Sequence, residues 1–352
     1  MINLNDARIP INDLKQFCVT AMCCAGMREE DAKITATVLV TTDTWGVYTH
    51  GTKQLRPLLV HMRDGGLSAT AVPEVVHEGA AWAHVDGHYA MPPVTAVMAM
   101  QAAITKAKSA GIGFAGVMHS SHFGAAGYYA MMAAEQDLIG LAMTNVDPFM
   151  TIPGAKGRVL GTNPITYAVP TGVERPVFLD MATSTVAASK VFAAELLGKS
   201  IPDTWIVDKE GRPTTDPAEL MKGGAMQPMA GYKGYGIALL IEILAGVLTG
   251  ASFTTDLKTW IIDTQSPINQ GHTFIAIDPQ IMMPIDAFKG RMDELVHRIK
   301  ATPTAPGANR IYLPGEMEWD KRADALVNGI PLPDDVRTYL RNMAHDWGIV
   351  LT

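Results

Sequence analysis

Two histidine-bearing segments carry the residue types that proton-transfer chemistry needs. His119-Ser120-Ser121-His122-Phe123-Gly124-Ala125-Ala126-Gly127-Tyr128-Tyr129 follows an apolar, strand-like run and opens a helical one. In α/β proteins the C-terminal ends of strands are where ligands and reactive side chains gather. Imidazole titrates near neutral pH, so a histidine there suits general acid/base work; a hydrogen-bonded loop histidine is the plain alternative. His119 and His122 also have the spacing of half a metal site, but no carboxylate or cysteine lies close by in sequence to complete it, and no metal is expected. The second segment is Thr49-His50-Gly51, with Lys53 and Arg56 nearby. Alone it reads as readily as a turn.

Three further segments suit a bound anion or a close backbone approach. Gly231-Tyr232-Lys233-Gly234-Tyr235-Gly236 immediately precedes an apolar helix, so Lys233 and the free N–H groups of the helix start form a candidate anion site. Leu160-Gly161-Thr162-Asn163-Pro164 and Leu179-Asp180-Met181-Ala182-Thr183-Ser184 each set small polar residues beside a strand. All three also read as ordinary turns. Gly111-Ile112-Gly113-Phe114-Ala115-Gly116 satisfies G-x-G-x-x-G, but a helix precedes it and a strand-like run follows. A dinucleotide fingerprint needs the opposite order, so this segment is read as a helix-to-strand turn.

Helical patterns cover most of the first seventy residues, over 11–25, 28–42 and 55–63, the last ended by Asp64-Gly65-Gly66. Strand signals then appear at 83–85, 113–117, 138–144, 165–169 and 177–179, with helices over 92–109 and 125–135 between them. This alternation predicts an α/β core. Residues 231–250 read as a buried helix, 274–277 as a late strand, and 286–300 and 334–347 as helices.

Composition narrows the function classes. The chain has 352 residues, 48% hydrophobic and 18% charged, and a net charge of −7. That allows a large core, excludes disorder and makes nucleic acid a poor partner. The first twenty residues carry no signal-peptide pattern, and the longest apolar stretch, 237–248, is interrupted by Glu242 and is too short to span a bilayer. Cys18, Cys23 and Cys24 match neither a zinc spacing nor a disulfide framework, so a reducing, cytoplasmic compartment is expected.

Together these segments resemble the malate/L-lactate/sulfolactate dehydrogenase family, which is unrelated to the Rossmann-type lactate dehydrogenases. The likeness runs in order through THG at 49–51, VDG at 85–87, SSHFGAAGYYA at 120–130, GTNPITYAVPTG at 161–172, LDMATS at 179–184, GKSIPDTWIVDKEGRPTTDP at 198–217, GYKGYG at 231–236 and LPGE at 313–316. The resemblance implies NAD- or NADP-dependent, reversible reduction of a 2-oxo acid, or a related imino acid. It implies a non-Rossmann mixed-sheet α/β domain over 76–304 and a helical domain built from both chain ends, 1–75 with 305–352. It also implies a homodimer with the active site near the subunit interface. By motif match His122 is the acid/base, His50 shares its pocket, and Asn145 and Asp147 contact the substrate or support the histidine. Ser120, Gly124, Thr162, Asp180, Met181, Ala182, Tyr232, Lys233, Gly315 and Glu316 fall where the family holds the dinucleotide.

One departure bears on the substrate. The family reads R-G-x-x-S-H-G-x-x-R around the first histidine, and this chain has Trp45 and Gln54 at the two arginine positions and Thr49 for the serine. The second arginine grips the substrate carboxylate as a bidentate fork, which an amide cannot reproduce. Either Lys53 or Arg56 supplies the charge beside Thr49 and Gln54, or the substrate is a cyclic imino acid or a bulkier carbonyl compound. A nucleotide-binding paralogue without catalysis is the third reading. The presence of His50, His122 and Asp147 argues against it.

Overall fold

The computed structural model describes residues 2–4 and 6–351; Met1, Asn5 and Thr352, all within the expected helical unit, lie outside the described residues. Helix α1 (Ile11–Cys24) turns Leu14, Phe17, Cys18 and Met22 inward. Helix α2 (Glu29–Thr44) begins with Glu29, Glu30 and Asp31, whose charges complement the partial positive charge of a helix start. Helix α3 (Leu55–Arg63) follows after the Thr49-His50-Gly51 turn.

The central sheet contains β1 (Glu74–Glu78), β2 (Trp82–Asp86), β3 (Ile112–Ser120), β4 (Ile139–Thr144), β5 (Ile165–Val169), β6 (Val177–Met181) and β10 (Gln270–Ile277). Its order is β1-β2-β3-β10-β4-β5-β6. Only β2 and β3 are parallel, so the sheet is mixed. Helix α4 (Pro92–Ala110) opens on two prolines, which suit a first turn, and is closed by Gly111 in a left-handed conformation. Gly111 is therefore the helix-to-strand turn, and Gly113 and Gly116 lie within β3. At Gly113 a Cβ would lie 1.9 Å from the Ala103 carbonyl oxygen, so glycine lets β3 lie directly against α4. Helix α5 (Ala126–Ala134) packs beside α4, and together they bury Ala96, Ala99, Ala103, Ala126 and Ala133 against the sheet.

Beyond β6 come α6 (Ala188–Leu196), a small sheet of β7 (Ile206–Val207), β8 (Pro213–Thr214) and β9 (Ala225–Met226), and α7 (Tyr232–Ile241), which continues as a π-helical turn over Glu242–Val247. The last helices are α8 (Ile285–Lys300), α9 (Glu316–Asn328) and α10 (Asp334–Asp346). A second apolar core joins α1, α2 and α3 to Ala325 of α9 and to Val336, Leu340 and Met343 of α10, and takes in Leu257, Trp260 and Ile268 from the segment before β10.

The expected buried helix over 231–250 is corrected in one respect. Its Leu240, Ile243, Val247 and Leu248 are 52%, 44%, 54% and 59% exposed, so one face packs on the sheet and the other is apolar and uncovered within a single chain. Among the described residues no helix is long and apolar enough to cross a membrane.

Candidate active site

Strand β3 ends at Ser120, and the chain turns through Ser121, His122 and Gly124 into α5. Gly124 has φ +87°, a conformation that favours glycine, and its N–H approaches Nδ1 of His122 at 3.4 Å. The Thr49-His50-Gly51 turn meets this loop. The rings of His50 and His122 have centroids 5.4 Å apart, and the indole of Trp260 stacks on His122 at 5.1 Å and 23°. The His122 imidazole thus has two ring neighbours, one tilted and one stacked. Loss of water around the ring, with smaller contributions from His50 and His272, pushes the His122 pKa down to about 3. Burial lowers that of His50 as well. Both imidazoles are neutral at physiological pH in the ligand-free site.

The turn bearing His50 is held from beneath by Asp43. This fully buried carboxylate accepts the Thr52 hydroxyl through Oδ2 at 2.6 Å and the Thr52 N–H at 3.0 Å, while Oδ1 has no donor. Burial pushes its pKa up to about 7 against the lowering by the Thr52 bonds. A Cβ at Gly51 would lie 1.9 Å from Oδ1, so glycine is required there. Thr49 Oγ1 lies 2.9 Å from Nδ1 of His50.

The charged residues of this turn are directed elsewhere. Lys53 pairs with Asp335 of α10 at 2.6 Å and lies over the Tyr339 ring, and Arg56 pairs with Asp346 of the same helix at 2.8 Å. Gln54 donates from Nε2 to the Thr49 carbonyl, and its Oε1 is buried without a donor. Trp45 is a core residue, packed on Phe178 at 5.2 Å and Trp319 at 6.4 Å.

Asn145 and Asp147 lie on the loop after β4. Asn145 is fully buried and is a structural clasp: Nδ2 donates to the Ser252 carbonyl at 2.8 Å, and Oδ1 accepts from Gly271 N–H at 3.1 Å. Asp147 accepts the Thr259 hydroxyl at 2.7 Å, one residue before Trp260, so it holds the segment that covers His122. His119 turns away from the pocket: its Nδ1 lies 3.0 Å from both oxygens of Asp86.

Part of the candidate dinucleotide set lies at and beside the end of β6. Thr183 donates through its N–H and hydroxyl to the Thr162 carbonyl, both at 2.9 Å, and its own carbonyl accepts from Met229 N–H, two residues before the Gly231 cap of α7. Asp180, flanked by Met181 and Ala182, accepts the Gly127 N–H of α5 at 2.7 Å. Gly315, left-handed at φ +89°, sits against Phe178, and Glu316 accepts the Leu313 N–H of the preceding loop while pairing with Lys300. Tyr232 and Lys233 are exposed in the first turn of α7, which has no side-chain cap. Among the described residues Lys233 has no ion-pair partner. An uncapped helix start with a free ammonium fits a diphosphate. Ser120 is fully buried, its hydroxyl 2.9 Å from His272.

Several residues of this site were not singled out from sequence: Asp43, Trp260, His272 and the pair Asn163–Glu242. Asn163 donates from Nδ2 to buried Glu242 at 2.6 Å and accepts the Val146 N–H at 3.1 Å, joining α7 to the Asp147 loop. A lone glutamate inside an apolar helix was the available signal for that pair.

Comparison with known proteins agrees with this geometry. The family model described as malate/L-lactate dehydrogenase matches residues 9–341. A malate dehydrogenase of Pyrococcus abyssi is 36% identical, covering 99% of this chain and 97% of the relative. A Pseudomonas putida protein named Delta(1)-pyrroline-2-carboxylate/Delta(1)-piperideine-2-carboxylate reductase is 30% identical, over 93% of this chain and 94% of the relative. The solved sulfolactate dehydrogenase of Methanocaldococcus jannaschii superposes with a TM-score of 0.90 at 35% identity, covering 99% of this chain and 98% of that one. The mixed sheet, the strand-end histidine and matches over nearly the full length lead to one conclusion: this chain belongs to the malate/L-lactate dehydrogenase family of oxidoreductases.

Proposed function

We propose that the chain interconverts a 2-hydroxy acid and a 2-oxo acid with NAD or NADP as cofactor, and that His122 moves the proton. The observation that carries this reading is the neutral His122 imidazole, enclosed between His50 and Trp260 at a strand end. A bound nicotinamide supplies the two-electron chemistry. The protein then has to hold the substrate oxygen at the ring edge and take or give one proton. At neutral pH the unprotonated ring is ready to accept the hydroxyl proton of a hydroxy acid. In the reverse direction the substrate carboxylate, a nearby negative charge, raises the histidine pKa and favours the protonated donor. Trp260 and the segment held by Asp147 keep water from the ring. Lys233 and the α7 start hold the diphosphate, with Thr162, Asp180, Met181, Ala182, Gly315 and Glu316 shaping the rest of the cofactor cleft.

A second reading is favoured by the 49–56 turn. Lys53 and Arg56 are both paired with α10, and Gln54 presents no charge. A small 2-oxo acid then lacks its guanidinium fork, which favours a bulkier carbonyl substrate; a cyclic imino acid keeps the 2-carboxylate and belongs to this reading through the contacts its ring would add. The test is oxidation of NADH and NADPH with pyruvate, oxaloacetate, 3-sulfopyruvate and the cyclic imine Δ1-piperideine-2-carboxylate. Turnover on at least one supports an oxidoreductase of this class. Tight dinucleotide binding with no turnover on any would favour a non-catalytic paralogue.

The uncovered stripe of Leu240, Ile243, Val247 and Leu248 supports a homodimer, because a second copy would remove that apolar face from water. Cys18, Cys23 and Cys24 are free thiols, which suits a reducing cytoplasm.

A further inference from the structure

Strand β10 inserts a fully buried histidine, His272, between the ends of β3 and β4. Its Nδ1 lies 2.8 Å from Oγ1 of Thr144, and its Nε2 lies 2.9 Å from Oγ of Ser120. The ring stacks on Phe123 with centroids 4.4 Å apart and planes within 7°. Ser120 is two residues before His122, and Thr144 is three before Asp147. One imidazole therefore spans the two strand ends whose loops carry the proposed proton carrier and the anchor of its cover.

The backbones of Ser121 and Gly271 also hydrogen-bond the ring, and the two side-chain hydroxyls favour one tautomer. Thr144 Oγ1 has one proton, and the acceptors in line for it are the carbonyls of Asn145 and Gly271, both at 2.9 Å. Gln270 Nε2 donates to the same oxygen at 3.0 Å and to the Asn145 carbonyl at 2.7 Å. The remaining lone pair of Thr144 is satisfied if Nδ1 of His272 donates. A neutral ring protonated at Nδ1 has a bare Nε2, which accepts the Ser120 hydroxyl. Every polar atom of this buried group then has a partner, as buried networks require. Asparagine and glutamine also combine a donor and an acceptor, but on a single planar end; only imidazole faces one to each strand.

We propose that His272 is a positioning residue, a permanently neutral Nδ1-protonated imidazole that fixes the β3 and β4 strand ends and so sets the placement of the His122 ring. Burial supports its neutrality by pushing its pKa down to about 3. A charge here would also oppose protonation of His122, so a neutral ring leaves His122 free to take its proton.

The test uses the full chain labelled with 15N-histidine, in long-range proton–nitrogen correlation at pH 7. His272 is assigned among the ten histidines by the signal lost in His272→Phe, which keeps a ring on Phe123, and by the signal shifted in Ser120→Ala. The expected result is the neutral Nδ1-protonated pattern in the wild type and a displaced His122 signal in His272→Phe. An Nε2-protonated or charged His272, or an unmoved His122 signal in a folded variant, would overturn the proposal. If His272→Phe does not fold, the wild-type tautomer and Ser120→Ala still decide it. A kinetic arm rests on the proposed role of His122: with a substrate from the panel above, His272→Phe should lower kcat about 10–100-fold, in the range that small misplacements of reacting groups cost. KM for the dinucleotide should stay unchanged, and His272→Asn, which keeps the donor toward Thr144, should recover part of kcat. An equal rise in dinucleotide KM would reduce His272 to a general structural role. Absence of turnover on the whole panel would count against the functional reading and leave the spectroscopic result standing.

Discussion

The 120–124 loop and the 49–56 turn face each other across one pocket and are built on opposite principles. In the first, the surroundings are arranged about the imidazole: the Gly124 N–H approaches it, Trp260 and His50 are its ring neighbours, and the strand before it is tied to His272. In the second, His50 is retained above Asp43, but the cations beside it are drawn into ion pairs with α10 and the amide of Gln54 is anchored to its own turn. On the proposed function, the proton carrier is thus present while this turn presents no free cation to a carboxylate. The proposal places reaction type and substrate choice in separable segments, and each can be perturbed alone.

Removing the ring on the first side should have the largest effect. His122→Ala is expected to lower kcat by about 10²–10⁴-fold, the usual contribution of a positioned acid/base, with dinucleotide affinity nearly unchanged. Wild-type kcat in this variant, measured at saturating substrate, would take His122 out of the proton path.

On the second side, Asp43 links the turn to pH. Its folded-state pKa of about 7 lies above that of an exposed carboxyl. The folded protein therefore binds the extra proton between pH 4 and 7, and this contribution to stability is complete below the unfolded pKa and lost as pH rises through 7. Asp43→Asn, which cannot ionise, is expected to flatten that slope, by up to a few kcal/mol at one pKa unit per 1.36 kcal/mol. Parallel denaturation profiles of the two proteins from pH 4 to 8 would show that Asp43 does not titrate in this window.

The cofactor cleft lies outside the comparison and should respond differently from both loops. Lys233→Ala is expected to weaken dinucleotide binding by about 1.5–3 kcal/mol, a typical loss for charge-assisted hydrogen bonds. Calorimetry showing unchanged affinity for NADH and NADPH would return the α7 start to an ordinary glycine turn.

What was legible in the sequence followed from local physics. Helices α1, α2, α4, α5 and α10 and strands β3 to β6 show their periods and turn residues directly, and the strand-end position of His122 follows from them. Helix α9 escaped notice because Glu316–Asn328 is largely charged and buries only Ala325. Strand β10 was read as a late strand, but no local signal says that it inserts between β3 and β4, some 130 residues earlier in the chain. For the same reason the roles of His272 and Trp260, and the pairing of Asn163 with Glu242, carry no local signal beyond the lone glutamate in an apolar run: their partners are distant in sequence, and the fold supplies them. The outcome for Lys53 and Arg56 was equally non-local, decided by Asp335 and Asp346 of α10.

The central claim, that this pocket retains its proton carrier but not its carboxylate fork, is tested most directly by steady-state kinetics of the wild type and Gln54→Arg on pyruvate and oxaloacetate. The account predicts wild-type kcat/KM below about 10⁴ M⁻¹s⁻¹, the low end of ordinary enzymes, and a rise on these acids in Gln54→Arg together with a fall on the preferred substrate. Wild-type turnover already above that level, with no gain from the arginine, would contradict it.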